Sequence, residues 1–526
     1  MADTEKQGMF WADQAAREVA NAPGGMHVVS DAKTPSGRVH VGSLRGVIVH
    51  DVLHKALLDA GKKAESTYRF DDFDPMDSFP AYLPESFKEY MGKPLSNIPS
   101  PEPGYDSFAQ YYAVEFETVF ESLDCHPRIL WMSKDYKAGL FDGAIKTAIE
   151  KAAAIREINE RISGGKKQGD WLPVQVVCDE CGRIGTTQAT DFDGKTVAYT
   201  CAGAKYAAGC GHAGRKSPFK GGSKLTWKAH WAAQWTVYNV TVEGEGKDHA
   251  VVGGSRQVSN EIATKVFGYT PPYDLPYEFF LVGGKKMSSS KGLGSTAKEV
   301  AEALPPELLR FLLVRYKPRT AINFSPEGDT LPRLYDDYDA FGEAFFGRRK
   351  SRDPDEPRIY EFSQVNGTPK DHYKPQFSFI AYLLQVPHLK LREVIEKRLE
   401  RTLTNDEAGE LERRSRVGRN WLEKYAGSEY TLKVLDHAGA LKFHSQLPAE
   451  MQKAMADFGE FFAETGSEKA QGEFLNRMCE RHAVKQQAFY EAAYNIFLGK
   501  PKGPRLLPFL NALERPFVAQ RLRGVV

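Results

Sequence analysis

Two stretches of this chain combine glycine, hydroxyl and basic residues at spacings suited to phosphate. The first is Thr34-Pro35-Ser36-Gly37-Arg38-Val39-His40-Val41-Gly42-Ser43. Gly37 and Gly42 let the backbone approach a ligand closely, and His40 stands where a helix is expected to begin. Amide groups and the helix dipole at such an entry favour phosphate. The plain alternative is a strand-to-helix turn with an incidental histidine. The second stretch is Gly283-Gly284-Lys285-Lys286-Met287-Ser288-Ser289-Ser290-Lys291-Gly292. Its three lysines and three serines make a cationic loop with hydroxyl donors, suited to a triphosphate. The alternative is a solvated basic surface loop. It follows an expected strand, Tyr277–Val282, and loops that handle phosphate lie at the carboxyl ends of strands.

A third group is sulfur-rich. Cys178, Cys181, Cys201 and Cys210 fall in one short stretch, while Cys125 and Cys479 stand alone. In a large cytosolic chain such a cluster points to metal rather than to disulfides. Cys178-x-x-Cys181 with Cys201 and Cys210 fits a tetrahedral, all-thiolate structural zinc site. The last gap exceeds that of a second C-x-x-C, so His212 is a rival fourth ligand and a metal-free knuckle the main alternative.

The elements that must position these groups follow an α/β pattern. Residues 26–31 read as a short buried strand. After the first loop, Leu44, Val47, Ile48, Val52, Leu53, Leu57 and Leu58 recur at helical spacing, and Gly61 supplies a stop. A second strand, Glu65–Phe70, runs into the acidic turn Asp71-Asp72-Phe73-Asp74-Pro75. Strand, glycine loop, helix and strand open a parallel nucleotide-binding sheet. Residues 76–106 form an irregular, Pro- and aromatic-rich insertion, followed by a helix (107–123), a strand (129–133) and a helix (140–163). The reading is an α/β, Rossmann-like parallel-sheet catalytic domain with a small zinc-type insert, followed by an all-helical C-terminal domain. Its expected parts are 1–164 and 226–337 for the two catalytic halves, 165–225 for the Cys-rich insert and 338–526 for the helical domain.

With 526 residues the chain exceeds one compact core, and three to four domains are expected. No run of about 18 apolar residues appears, so no membrane span is expected. The acidic, amphipathic N-terminus lacks the pattern of a signal peptide, and a cytoplasmic location is expected. The formal net charge of +1 says nothing for or against a nucleic-acid partner, because a local basic face can bind phosphates on a near-neutral protein.

Together the two loops resemble the "HIGH" and "KMSKS" signatures of class I aminoacyl-tRNA synthetases. The first stands here as His40-Val41-Gly42-Ser43 and the second as Lys286-Met287-Ser288-Ser289-Ser290. Ser43 replaces the family's second histidine, and Ser289 its second lysine, with Lys291 as the charge that takes that place. The resemblance implies ATP, with Mg2+, at Pro35, Gly37, His40, Gly42, Ser43, Lys286, Met287, Ser288 and Ser290. His40, Lys286 and Lys291 are the implied catalytic residues, because amino-acid activation needs stabilisation of phosphate charge and no protein nucleophile.

Trp227-Lys228-Ala229-His230-Trp231, Trp235, Glu245-Gly246-Lys247-Asp248-His249, the stretch Thr34–Gly37 and Gly253–Arg256 are similar to the class I lysyl-tRNA synthetases. That resemblance spans most of the chain. It implies activation of lysine to lysyl-adenylate and transfer to tRNA(Lys). A lysine pocket needs carboxylates or aromatic faces for its ammonium, since an unpaired buried charge is very costly. Thr34, Asp71, Trp227, Trp231, Asp248, His249 and Tyr277 are the expected lysine-binding residues. Read singly, each aromatic is ordinary core and each aspartate ordinary turn chemistry. His230 stands where the family pattern leads one to expect an aspartate. The closest competitor is a glutamyl-tRNA synthetase, whose pocket wants paired arginines; Arg38, Arg45, Arg69 and Arg256 are available. A paralogue that no longer charges tRNA and serves as a binding or regulatory protein is a reading of another class.

Residues 338–526 carry many basic residues at helical spacing, among them Arg392, Arg398, Arg401, Arg413 and Arg414. They are either solvated helix faces or, by resemblance, part of a helical cage around the anticodon. The sequence leaves the oligomeric state open, with a monomer favoured.

Overall fold

The computed structural model describes residues 9–20, 25–283, 296–365, 367–386, 390–427, 430–431, 434–503 and 505–525. The strand His27–Lys33 pairs in parallel with Ala64–Phe70, in register from His27–Ala64 to Lys33–Phe70. Its first five residues are buried, as in a sheet covered on both faces. The sheet has five strands, in the order Tyr273–Asp274, Val242–Glu243, His27–Lys33, Ala64–Phe70 and Arg128–Trp131, and every pairing is parallel. Strands that follow the first lie on one side of it and the two late strands on the other. Strand order therefore reverses between His27–Lys33 and Val242–Glu243, where ligands bind in sheets of this kind.

The first crossover is the helix Leu44–Asp59. Leu44, Val47, Ile48, Val52, Leu53 and Leu57 are buried, whereas Leu58 of the expected stripe is exposed. Gly61 ends the element with φ +72, a conformation that costs glycine nothing. The expected helix 140–163 is two helices, Asp142–Glu150 and Ala152–Ser163, because Lys151 leaves the helical region (φ −103, ψ 25). The helix Trp227–Tyr238 packs Trp231 and Trp235 into a core that also takes Val28, Met132, Phe141 and Ile155.

Between the two halves stands a small antiparallel sheet, Thr187–Phe192, Val197–Cys201 and Ala213–Lys216. It is joined to the rest of the chain through the pair Val174–Val176 and Ser223–Leu225. A further parallel pair, Phe280–Val282 with Ile322–Phe324, leads towards the second basic loop. The strand expected at Tyr277–Val282 is thus shorter, and Tyr277 instead bridges Gly246.

The chain forms two compact units, Met1–Ser325 with Ala340–Pro369, and Pro326–Asp339 with Lys370–Val526. Position 338, where the sequence puts the start of the helical domain, lies within the helix Thr330–Phe345. Among the described residues the second unit contains helices and no strand, and its core holds Phe458, Phe462, Phe489, Phe497 and Phe509. No described helix is long and apolar enough to cross a membrane.

Candidate active site

At the reversal of strand order the first unit opens a cavity of about 320 Å3. The carboxyl ends of three strands reach it, through Asp31–Thr34, Asp71 and Glu243–Gly246. Helix Trp227–Tyr238 and the segment Tyr277–Phe280 close its sides, and His40, Gly42 and Ser43 form its mouth.

The tryptophans sit four residues apart, so they share one helix face. Trp227 stacks on Trp231 with ring centroids 5.1 Å apart and planes 14° apart. His249 lies against both, 5.7 and 5.8 Å from their centroids. The stripe is fixed from below by Glu243. Its Oε1 accepts from Trp231 Nε1 at 2.8 Å and from Arg69 Nη2 at 2.6 Å, and its Oε2 accepts from Trp235 Nε1 at 2.8 Å. A buried carboxylate is tolerable only when so surrounded.

Asp71 is the second anchor. His230 Nε2 and Gln234 Nε2 each lie 2.9 Å from its Oδ1, and His230 Nδ1 lies 2.9 Å from the Tyr136 hydroxyl. Burial opposes its ionisation, but Lys224, His230 and Arg69 outweigh that and hold its carboxyl well below the usual range. His230, where an aspartate was expected, is therefore a link that orients Asp71.

Thr34 donates to Asp74 Oδ2 at 2.8 Å, and the buried Lys224 ammonium pairs with the other oxygen of the same carboxylate. Asp31 is pushed upward by burial, although His50 and Arg69 favour its charged form. His50 Nδ1 lies 2.7 Å from Gly46 O, and its Nε2 accepts from Gly244 N at 2.8 Å, tying the helix to the late strand. Gly46 keeps this approach close: a Cβ there would stand 2.6 Å from the Tyr277 hydroxyl and 2.7 Å from Asp31 Oδ2, so those side chains would have to shift. Glu245 is pushed up to about 9 by burial, with Arg256 at 3.2 Å opposing and Asp274 reinforcing the shift.

All seven residues expected at the amino acid line this cavity: Thr34, Asp71, Trp227, Trp231, Asp248, His249 and Tyr277. Of the expected ATP residues, His40, Gly42 and Ser43 line it, while Pro35 and Gly37 are buried in the adjoining loop. Lys286, Met287, Ser288, Ser290 and Lys291 lie outside the described residues. On either side of that segment, the Phe280 carbonyl oxygen lies 3.5 Å from where a Gly42 Cβ would stand, and Thr296 bridges His40. Sequence reasoning missed Asp31, Lys33, Gln234, Glu243 and Glu278 as lining residues. The only signal was a charged or amide group inside an otherwise buried strand or helix.

The cavity wall counts six acidic residues, one lysine and no arginine among the described residues. The arginines a glutamate pocket would need are committed elsewhere. Arg45 donates to the carbonyls of Leu313, Tyr316 and Lys317, and Arg69 and Arg256 pair with Glu243 and Glu245. The Arg38 guanidinium lies 4.6 Å from the Tyr82 ring centroid.

In the insert, the Cys178, Cys181, Cys201 and Cys210 sulfurs lie within 4.8 Å of one another. Two pairs, Cys178–Cys210 and Cys181–Cys201, stand 3.7 Å apart. Tetrahedral thiolates at the roughly 2.3 Å of a zinc–sulfur bond are about 3.8 Å apart, so the sulfurs fit that ion. Outer donors are present as well: Cys210 N reaches Cys201 Sγ at 3.4 Å, and the Thr186 hydroxyl lies 3.2 Å from it. His212, the rival ligand, is not part of the group.

Residues 9–366 match the family model of class I tRNA synthetases (K). The chain is 34% identical to lysine–tRNA ligase 1 of Methanosarcina acetivorans, with 98% of each chain covered. It is 32% identical to the lysine–tRNA ligase of Thermoplasma acidophilum, over 98% of this chain and 99% of that one, and 31% identical to that of Archaeoglobus fulgidus, over 98% and 100%. With the parallel sheet and its cavity at the strand reversal, the match makes the chain a member of the class I tRNA synthetase (K) family.

Proposed function

We propose that this enzyme activates L-lysine with ATP to lysyl-adenylate and transfers the lysyl group to tRNA(Lys). The observation that carries lysine over glutamate is the acid-lined, arginine-free wall of the cavity. A substrate with two ammonium groups is matched there, whereas a second carboxylate would meet repulsion. In this reading Asp31, Asp71 and Asp248 balance the ammonium groups. Trp227, Trp231 and Tyr277 cover the aliphatic stem and offer a cation–π face worth about 0.5–2 kcal/mol. Thr34 and His249 add hydrogen bonds.

In the first step the lysine carboxylate attacks the α-phosphorus and pyrophosphate leaves. In the second a terminal ribose hydroxyl of the tRNA attacks the adenylate carbonyl and AMP leaves. Both steps rest on positioning and on stabilising phosphate charge. His40 and the mouth formed by Gly42 and Ser43 serve the phosphates, with Lys286 and Lys291 supplying cationic charge and Mg2+ accompanying ATP. Zn2+ held by the four cysteines is a structural ion that fixes the insert. The tRNA partner puts this work in the cytoplasm.

The test is pyrophosphate exchange driven by lysine or by glutamate, at saturating tRNA, followed by charging of tRNA. Exchange and charging with lysine alone are expected, and His40→Ala should lower the exchange rate far more than the affinity for lysine. Exchange with glutamate but not lysine overturns the proposal, as does exchange with lysine but no charging.

A further inference from the structure

We infer that Lys33 is a further substrate-binding residue of the cavity, pairing its ammonium with the carboxylate of the amino acid. The inference rests on the lysine-activating reading above and assigns a partner to the one negative group of that substrate. Lys33 ends the strand His27–Lys33, and its carbonyl accepts from Asp71 N at 3.0 Å. Side chains two apart on a strand share a face, so Asp31 and Lys33 both turn to the cavity that they line. The next residue, Thr34, is held by Asp74, and the loop that follows it leads to His40 at the mouth. Lys33 thus has a fixed mount in the chain, between the acidic end of the strand and the loop expected at the phosphates.

Charge singles Lys33 out. A wall of six acidic residues suits two ammonium groups but repels the carboxylate that the same substrate carries. That carboxylate needs a cation, and Lys33 is the only lysine or arginine on the wall among the described residues. Two lysines nearby in the fold are already paired: Lys224 with Asp74, and Lys247 with Glu278 at 2.6 Å. Lys33 has no hydrogen bond or ion pair among the described residues. Asp31 has other partners, Ala32 N at 2.8 Å and His50 Nδ1 at 3.8 Å. Burial pulls the Lys33 ammonium below its usual range, and Asp31 and Asp248 offset that in part without touching it. Such an ammonium is held charged and left able to take an anion from the ligand. In an amino acid the carboxylate and the α-ammonium share one carbon. A cation set among the aspartates that balance an ammonium therefore meets that carboxylate before it meets a nucleotide phosphate.

The test is calorimetric binding of lysine and of cadaverine, which is lysine without its carboxyl group, to the full chain with tRNA present. Wild type is compared with Lys33→Met, which keeps the length and removes the charge, and with Lys33→Arg, which keeps the charge. Lys33→Gln replaces the methionine variant where that one does not fold. Wild type is expected to prefer lysine, and the uncharged variant to lose roughly tenfold or more of that preference, as for a lost charge-assisted hydrogen bond. Cadaverine should bind the uncharged variant at least as tightly as wild type, because a repelling cation has gone. Lys33→Arg should keep the preference. A separate titration with a non-hydrolysable ATP analogue should give the same affinity in all these proteins. Equal weakening of lysine and cadaverine in the uncharged variant marks a merely structural role and overturns the inference, as does unchanged binding of both. Weaker binding of the analogue with lysine binding intact assigns Lys33 to a phosphate and overturns it too. Wild type that binds cadaverine as tightly as lysine overturns the inference and leaves the enzyme's function standing. Wild type that binds neither, and drives no exchange with lysine, overturns the function together with it.

Discussion

Glu245 lines the cavity, with Arg256 3.2 Å from one oxygen and Asp274 beside it. Burial and the neighbouring carboxyl lift it from an ordinary 4.5 to about 9, although Arg256 pulls the other way. The folded protein therefore holds a proton that the unfolded chain releases near 4.5. Between those two values the folded state binds more protons, so stability falls as pH rises. This contribution is complete below the unfolded value and is lost as pH climbs through the folded one. The thermal midpoint should thus decline with pH across that window more steeply in wild type than in Glu245→Gln, which keeps an uncharged group in the same space. Parallel declines in the two proteins would remove Glu245 as the source. The same residue-level logic explains Glu243, whose charge is held by Arg69 and two indole donors and which fixes the Trp231 wall.

Among elements, the strand Ser223–Leu225 connects the two parts of the first unit. It closes the cysteine-bearing insert by pairing with Val174–Val176, and it delivers the buried Lys224 to Asp74, which in turn holds Thr34 at the cavity. Through these contacts, order in the insert is expected to bear on the cavity wall. With zinc in the insert as proposed, its removal by a chelator, or Cys181→Ser, should speed proteolysis within 165–225 and raise the lysine KM several-fold. Restored metal should reverse the chelator's effect. Faster proteolysis with an unchanged KM would mean that the Lys224–Asp74 link does not carry the coupling. Such links explain what could and could not be seen before folding. The loop Thr34–Ser43 and the cysteine cluster were legible because each sits within one short stretch whose residue types state their chemistry. Asp31, Glu243 and Gln234 come to line one cavity only when the strands His27–Lys33, Ala64–Phe70 and Val242–Glu243 are laid side by side and the helix Trp227–Tyr238 packs beside them, and each looks locally like a stray polar group in an apolar element. Arg45, Arg69 and Arg256 misled in the opposite sense. Their charge reads as available for a ligand, and only the fold reveals the carbonyls and carboxylates that consume it. The break at Lys151 has no marker in the sequence that we can identify.

At the scale of the molecule, each unit has its own hydrophobic core, one around Trp235 and Phe141 and the other around Phe458 and Phe497. The cavity of the first unit is lined by six acidic residues and one lysine. With a net charge of +1, attraction for tRNA on the proposed function would come from a local basic face and not from the protein as a whole. On the proposed function, lysine and a non-hydrolysable ATP analogue engage only the first unit. Ligand at about 100 times its Kd stabilises what it binds by about 2.7 kcal/mol. Hydrogen exchange should therefore slow in the strands His27–Lys33 and Ala64–Phe70 and in the helix Trp227–Tyr238, while amides of the helices Ala449–Glu464 and Gln486–Leu498 keep their rates. Added tRNA should slow exchange in the second set as well. If lysine and the analogue alone slow both sets equally, the chain opens as a single cooperative body, and the division of labour drawn from the two cores fails.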